Sequence, residues 1–172
     1  MDDNMTDEFD ASIEAATNAL ITHDDVVEMI KGYGASIDVH GLSLDEEGRC
    51  LLPNAEGREI LLLYAPPFPG ITLFTSMVDA GKVPDEILIG LLVSNASWTK
   101  TSGGTFSIAQ PEGTVLFSRR VVIVEPTPNA LTQALAEFGL LAERWETEIY
   151  FHLDAIGEKR PDPTPATPMT AV

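Results

Sequence analysis

The spacing of apolar residues predicts helices near both ends of the chain. Between Phe9 and Gly34, apolar side chains recur every three or four positions, the period of one or two amphipathic helices. Thr22 or His23 could cap the second of these, and Gly34 suits a left-handed helix terminator. After Thr127, which precedes a proline suited to a first helical turn, a longer stripe predicts one long helix. Its apolar residues are Leu131, Leu135, Phe138, Ala142, Trp145 and Ile149.

Between these helices the apolar period falls to two, which predicts strands. Three or four strands, an apolar helix and two further strands follow in order, separated by turns rich in Gly, Pro and acidic residues. The sequence therefore predicts an α+β fold, an antiparallel sheet flanked by helices in the order α-β-β-β-α-β-β-α. The expected strands are residues 36–44, 49–53, 58–65, 71–77, 103–110 and 114–124.

The helix predicted from Pro84 to Ser94 has almost no polar side. A domain of this size can rarely cover such a helix within one chain, so we expect the helix to pack against a second copy. The sequence therefore predicts a homodimer. The residues expected at its interface are Ile87, Leu88, Leu91 and Leu92.

Length and composition predict one folded domain with two distinct ends. The chain has 172 residues, close to the usual size of a single domain. Residues 1–22 form an acidic lead that could carry an extra helix, and residues 23–156 hold the predicted α+β domain. Residues 157–172 are rich in proline with little to bury, so a disordered tail is expected there.

The charge balance excludes several classes of partner. With 27 acidic against 10 basic side chains, the formal net charge is -17, which repels phosphate backbones and anionic lipid. Neither nucleic acid nor a membrane is therefore an expected partner.

The chain has one cysteine, so no intrachain disulfide can form, and its acidic start lacks the positive region of a secretory signal. A reducing compartment is expected.

Residues that could support catalysis or metal binding are scattered. His23, His40, His152 and Cys50 share no metal-ligand spacing. The acidic turn at residues 45–47 lacks the alternating carboxylates of a calcium loop, and the sequence has no phosphate-binding loop or glycine-flanked nucleophile. We therefore expect no catalytic residues, no metal, no cofactor and no enzymatic activity.

Three segments resemble the class I chaperones of type III secretion, the Tir chaperone (CesT) family. They are the turn LDEEG, the segment PDEILIGLLVSNASWTKTSGGTFSIAQPEGTVLFSRR and the closing NALTQALAEFGLLAERWETEI. In that family an apolar helix ending in Leu-Leu-x-x-Asn precedes a glycine pair and a strand hairpin, a pattern matched here by Leu91, Leu92, Asn95, Gly103 and Gly104.

The resemblance implies a homodimeric chaperone of the bacterial cytoplasm. Such a chaperone holds an amino-terminal segment of a secreted effector in extended form and presents it to the secretion ATPase. The sequence leaves two other functions open: a protein-binding adaptor on the same scaffold with another partner, and a small hydrolase whose acidic dyad no motif of the sequence reveals.

The strands suggest where a client peptide could bind. In the strand 71–77 most apolar residues are expected to meet the core, which leaves Phe74 on the other side as an anchor for an extended peptide. Leu61 and Leu63 share one face of the preceding strand and Leu62 lies on the other, so one of these sets should flank Phe74. The alternative is that the long helix covers Phe74 as a core residue. The predicted effector-binding residues are Leu61, Leu63 and Phe74.

Overall fold

The computed structural model describes residues 21–54 and 57–157. The apolar stripe predicted between Phe9 and Leu20, most of the acidic lead and nearly all of the proline-rich tail lie outside the described residues. The strands are β1 (Arg49–Pro53), β2 (Glu59–Leu63), β3 (Gly70–Asp79), β4 (Gly104–Ala109) and β5 (Thr114–Val122). The helices are α1 (His23–Ser36), α2 (Asp85–Ser94), α3 (Trp98–Thr101) and α4 (Pro128–Ala155), with a 3-10 turn at Ala80–Lys82.

The strands form one antiparallel sheet in the order β1-β2-β3-β5-β4. Helix α4 packs against β3 and β5, and α1 packs against α4, so these two helices form a layer on one side of the sheet. The α+β prediction is therefore confirmed for the described part of the chain. None of the helices in residues 21–54 and 57–157 combines the length and apolarity that a bilayer crossing requires.

The sheet face beneath the helices, here called the covered face, holds the core. Its aromatic centre is Phe117, whose ring stacks on Phe138 at a centroid distance of 5.8 Å. Phe106 contacts Phe117 at 4.9 Å and meets Trp145 edge-on at 5.0 Å. Because the strands alternate, every second residue points to this face. The strand residues buried there include Cys50, Leu52, Ile60, Leu62, Ile71, Leu73, Thr75, Phe106 and Phe117.

Helix α4 confirms the long helix predicted from its apolar stripe. Thr127 caps it by accepting a hydrogen bond from the Ala130 amide at 3.1 Å, and Pro128 occupies the first turn. The six stripe residues predicted from the sequence are all buried. Arg58, just before β2, forms a partly buried ion pair with Glu146 of α4, which ties the helix to that end of the sheet.

Helix α1 begins as predicted but ends later. Thr22 caps it through a capping box, in which its hydroxyl oxygen accepts from the Asp25 amide and the Asp25 carboxylate accepts from the Thr22 amide. The prediction that Gly34 terminates the helix is wrong, because the helix continues to Ser36 and Asp38 takes the left-handed conformation. Gly34 is required for another reason: a Cβ there would lie 2.6 Å from the Val39 carbonyl oxygen.

The strand expected over residues 36–44 is also wrong. The chain turns back after α1, where the Val39 amide donates to the Gly34 carbonyl at 2.9 Å, and Asp38 and Gly41 both have positive φ. These conformations interrupt an extended strand. The alternating apolar residues instead pack against the core from a loop, and the sheet starts at Arg49. The loop residues that do so are Ile37, Leu42 and Leu44.

Candidate functional site

The sheet face opposite the helices, here called the open face, carries a group of apolar residues in register. Leu61 of β2 pairs directly with Phe74 of β3, and Leu51 of β1 pairs with Leu61. Leu63 lies two residues along β2 and pairs with Thr72. Leu51 is 47% exposed and the other apolar members are half-buried. The structure therefore brings together the three residues predicted from the sequence and adds Leu51.

The structure distinguishes the two sets of β2 residues that could flank Phe74, Leu61 with Leu63 on one face and Leu62 on the other. Leu62 is fully buried on the covered face, so the flanking set is Leu61 and Leu63. Phe74 pairs with Ser118, while its neighbour Thr75 pairs with Phe117 in the core. Since α4 packs on the Phe117 side, Phe74 lies on the side away from that helix and outside the buried core cluster.

Two arginines are located on the open face in different electrostatic settings. Arg49 is held by carboxylates, with Nε 2.9 Å from Asp45 Oδ2 and Nη2 2.7 Å from Glu47 Oε2. Arg120 pairs across the sheet with Thr72, and its guanidinium lies 5.2 Å from the centroid of the Phe68 ring. Arg120 has no carboxylate within ion-pair distance among the described residues. In the described part of the chain, the open face thus combines apolar surface with a cation, Arg120, that has no carboxylate partner.

The outer edge of β1 is closed at both ends. Asp45 binds both backbone groups of Arg49: its carboxylate accepts from the Arg49 amide at 2.8 Å, and its amide donates to the Arg49 carbonyl at 2.8 Å. The hydrogen bond from the Arg49 amide also holds the pKa of Asp45 below its ordinary value. Pro53 has no N–H, and its carbonyl accepts from the Tyr33 hydroxyl at 2.6 Å. Leu51 lies between these two blocked positions, and its carbonyl accepts a long contact from Cys50 Sγ at 3.9 Å.

The outer edge of β4 is occupied at Phe106 by one side chain, Asn95. Its Oδ1 accepts from the Phe106 amide at 2.7 Å, and its Nδ2 donates to the Phe106 carbonyl at 2.9 Å. A carboxamide offers the same donor and acceptor as a peptide group, so Asn95 satisfies Phe106 as a neighbouring strand would. Sequence reasoning named Asn95 only within a family pattern and missed this role. The signal available was an amide residue just after an apolar helix.

Helix α2 divides the residues predicted for a subunit interface. Leu91 is 6% exposed and belongs to the core of its own chain, and Ile87 and Leu88 are half-buried against that core. Leu92 is 51% exposed. Helix α3 and strand β4, which α2 contacts, add further exposed apolar residues to this side. The exposed apolar set of α2, α3 and β4 is Ile89, Leu92, Val93, Trp98 and Ile108.

The residues considered for metal binding or nucleophilic chemistry lie apart. Across residues 21–54 and 57–157, no group of three or more His, Cys, Asp or Glu side chains is arranged to hold a metal ion. His23, His40 and His152 each lie beside an acidic side chain of their own segment. Cys50 is buried, and that burial raises the pKa of its thiol, which keeps it protonated and unreactive.

Comparison with known proteins identifies relatives of this fold. The family model described as the Tir chaperone protein (CesT) family matches residues 28–146. No curated protein matches the chain significantly. The crystal structure of the ExsC-ExsE complex includes a chain with 22% identity and a TM-score of 0.65, covering 76% of this chain and 97% of that one. The structure of the HopA1-SchA chaperone-effector complex gives 11% identity and a TM-score of 0.55, covering 75% and 97%.

Proposed function

Because the chain belongs to the Tir chaperone protein (CesT) family, we propose that it is a bacterial cytoplasmic chaperone for a type III secreted effector. It binds an amino-terminal segment of that effector in extended form and keeps the effector soluble and competent for secretion. The observation that carries this proposal is the open face, where apolar residues of β1, β2 and β3 stand in register. In this role the chain binds the effector and delivers it to the secretion ATPase. Neither step requires a catalytic group of this chain.

The open face suits an extended peptide better than a folded partner. Side chains of an extended peptide alternate with a repeat of about 6.6 to 6.8 Å, which matches the spacing from Thr72 to Phe74 along β3. Apolar client residues could therefore contact Leu61, Leu63 and Phe74, with the intervening residues facing water. Phe74 offers the largest apolar surface of this set, so we assign it the role of anchor.

The backbone edges leave little room for strand addition. Asp45 and Tyr33 bind the outer groups of β1 on either side of Leu51, and Asn95 binds those of Phe106 on β4. Strand pairing uses every second residue of an edge, so a client could pair with Leu51 at the edge of β1 only over a short length. Side-chain contacts on the open face should therefore supply most of the binding free energy.

The experiment is capture of clients by the tagged full-length chain from its source bacterium, followed by mass spectrometry. The expected client is a secreted protein that is retained through its amino-terminal segment alone and lost with Phe74→Ala. Ser107→Ala, on an exposed position of β4, is the matched control and should retain the client. Capture that survives both Phe74→Ala and Leu61→Ser would contradict the proposal, and capture of a protein that is never secreted would favour an adaptor.

We also propose that two copies associate through α2. The exposed apolar residues Ile89, Leu92 and Val93 form the contact surface. Ile87 and Leu88 lie at its border, while Leu91 holds the helix to its own core. Burial of this side by a second copy would remove the large exposed apolar residues from water.

Light scattering tests the dimer. The unaltered chain should have about twice the mass of one 18.6 kDa chain, and Leu92→Asp should give a folded monomer. Leu91→Asp is the contrasting variant and should unfold the chain, because it places a charge in the core. A monomer for the unaltered protein at micromolar concentration would contradict this part of the proposal without touching client binding.

A further inference from the structure

The uncompensated arginine of the open face lies beside the apolar residues that we assign to the client. Arg120 and Thr72 form one cross-strand pair, and Thr72 pairs onward with Leu63. Two residues along the strands, Ser118 and Phe74 form the next pair, which continues to Leu61. The cation and the apolar anchor are thus one two-residue repeat apart along the strands and on adjacent strands, Arg120 on β5 and Phe74 on β3.

An exposed apolar residue on the other side of Arg120 completes the arrangement. Val122 lies two residues further along β5, pairs with Gly70 and is 58% exposed. Glycine has no side chain to cover its partner, so Val122 stands free on this side. Three successive cross-strand rows of the open face are therefore apolar at Val122, cationic at Arg120, and apolar at Phe74 and Leu61 on the strands beside Ser118.

The guanidinium of Arg120 is positioned and available for a carboxylate. The centroid of the Phe68 ring lies 5.2 Å from its Cζ, a cation–π contact that holds the guanidinium near this ring. Such a contact does not consume the N–H donors of the guanidinium, which can still bind a carboxylate. Arg49, the other arginine on this face, is already bound by Asp45 and Glu47 and cannot serve in the same way.

We propose that the open face selects a client segment in which one Asp or Glu lies between apolar residues two positions before and two positions after it. The inference rests on the proposed function and gives the client its chemistry. The acidic side chain would accept hydrogen bonds from Arg120, while the apolar side chains contact Val122 on one side and Phe74 with Leu61 on the other. A net charge of -17 repels acidic segments elsewhere, so a local contact with Arg120 determines where such a segment binds.

The experiment is selection of a random peptide library displayed on phage against the full-length chain. The unaltered chain should enrich peptides with an acidic residue flanked by apolar residues at both positions two away. Arg120→Glu should enrich Lys or Arg at the same place. Arg144→Glu, an equal charge change at an exposed residue of α4, is the matched control and should leave the preference unchanged.

A synthetic peptide from the selection then gives the size of the effect. Its affinity should fall about tenfold with Arg120→Glu and by less with Arg120→Gln, as for loss of a charge-assisted hydrogen bond at a partly exposed site. Since Arg120 is exposed, both variants should keep the melting temperature of the unaltered chain. Arg120→Gln also serves if the charge reversal impairs folding.

The possible failures are distinguishable. Enrichment of purely apolar peptides, or an acidic preference that survives Arg120→Glu, would overturn the role of Arg120 and leave the open face as the client site. Acidic peptides that depend on Arg120 but are indifferent to Phe74→Ala would overturn the proposed geometry. Failure of the unaltered chain to enrich any peptide would contradict both this inference and the proposed function.

Discussion

The covered and open faces of the sheet are built from alternate residues of the same strands, but they differ in how far their apolar side chains are buried. Phe117 on the covered face is fully buried between the rings of Phe106 and Phe138. Phe74 on the open face, one strand away and one residue out of phase, is half-buried and pairs with Ser118. Both faces carry large apolar side chains, but α1 and α4 supply apolar partners to only one of them.

This difference indicates which surface determines the fold and which remains available for binding. Burial on the covered face provides the apolar area that stabilises the chain. The open face keeps apolar side chains partly in water, at a cost that a folded domain would avoid unless another molecule covers them. Asp45 and Asn95 each occupy one position at the edges of the sheet, which limits pairing with other strands.

The largest expected effect compares the two phenylalanines directly. Phe117→Ala should lower the free energy of unfolding by about 3 to 5 kcal/mol, because it leaves a cavity in a fully buried site. Phe74→Ala removes a half-buried ring and should cost roughly 1 kcal/mol. Urea denaturation measures both. Equal losses would place Phe74 in the core and remove the distinction between the faces.

A glycine substitution tests how closely the covered face is packed. A Cβ on Gly104 would overlap the ring of Phe117, so Gly104→Ala should destabilise the chain by about 1 to 3 kcal/mol. Gly90 in α2 has nothing near its Cβ position, so the same change there should stabilise the helix by about 1 kcal/mol. Thermal unfolding is measured in the Leu92→Asp background, so that a contact between subunits does not contribute to the melting temperature. Effects of the same sign would contradict this account.

The edge of β4 lies between the two faces and depends on one amide. Asn95→Ala removes both hydrogen bonds to the Phe106 backbone and should cost about 1 to 2 kcal/mol. Hydrogen exchange should show faster exchange of the Phe106 amide in particular. Asn129→Ala, at an exposed position early in α4, is the control and should change neither quantity appreciably. Unchanged exchange at Phe106 would mean that Asn95 does not close this edge.

The smallest effect is expected at the edge of β1 and depends on pH. Since Asp45 has a lowered pKa in the folded chain, its carboxylate stabilises the fold at neutral pH, and this contribution is lost as the pH falls through that lowered value. Asp45→Asn should therefore melt slightly below the unaltered chain at neutral pH, and the difference should disappear in acid. Melting temperatures across that range measure it. A difference that stays constant with pH would exclude the carboxylate charge as its cause.

The sequence by itself determined the local parts of this protein. The stripe from Leu131 to Ile149 and the cap at Thr127 predicted α4, because helix period and capping depend on residues close in the chain. The hairpins β1-β2 and β4-β5 followed in the same way from alternation and turn residues. Alternation also placed Leu61 and Leu63 on one face of β2.

Only the tertiary structure decided what covers each face. The alternation in residues 36–44 is typical of a strand, but these residues form a loop whose apolar side chains pack against the core. Asp38 and Gly41, which both have positive φ, turn the chain there. Whether Phe74 is buried depends on the face of the sheet against which α4 packs. The hydrogen bonds between Asn95 and Phe106 depend on the packing of α2 beside β4. Such contacts join residues distant in sequence, where local period and propensity carry no information about the partner.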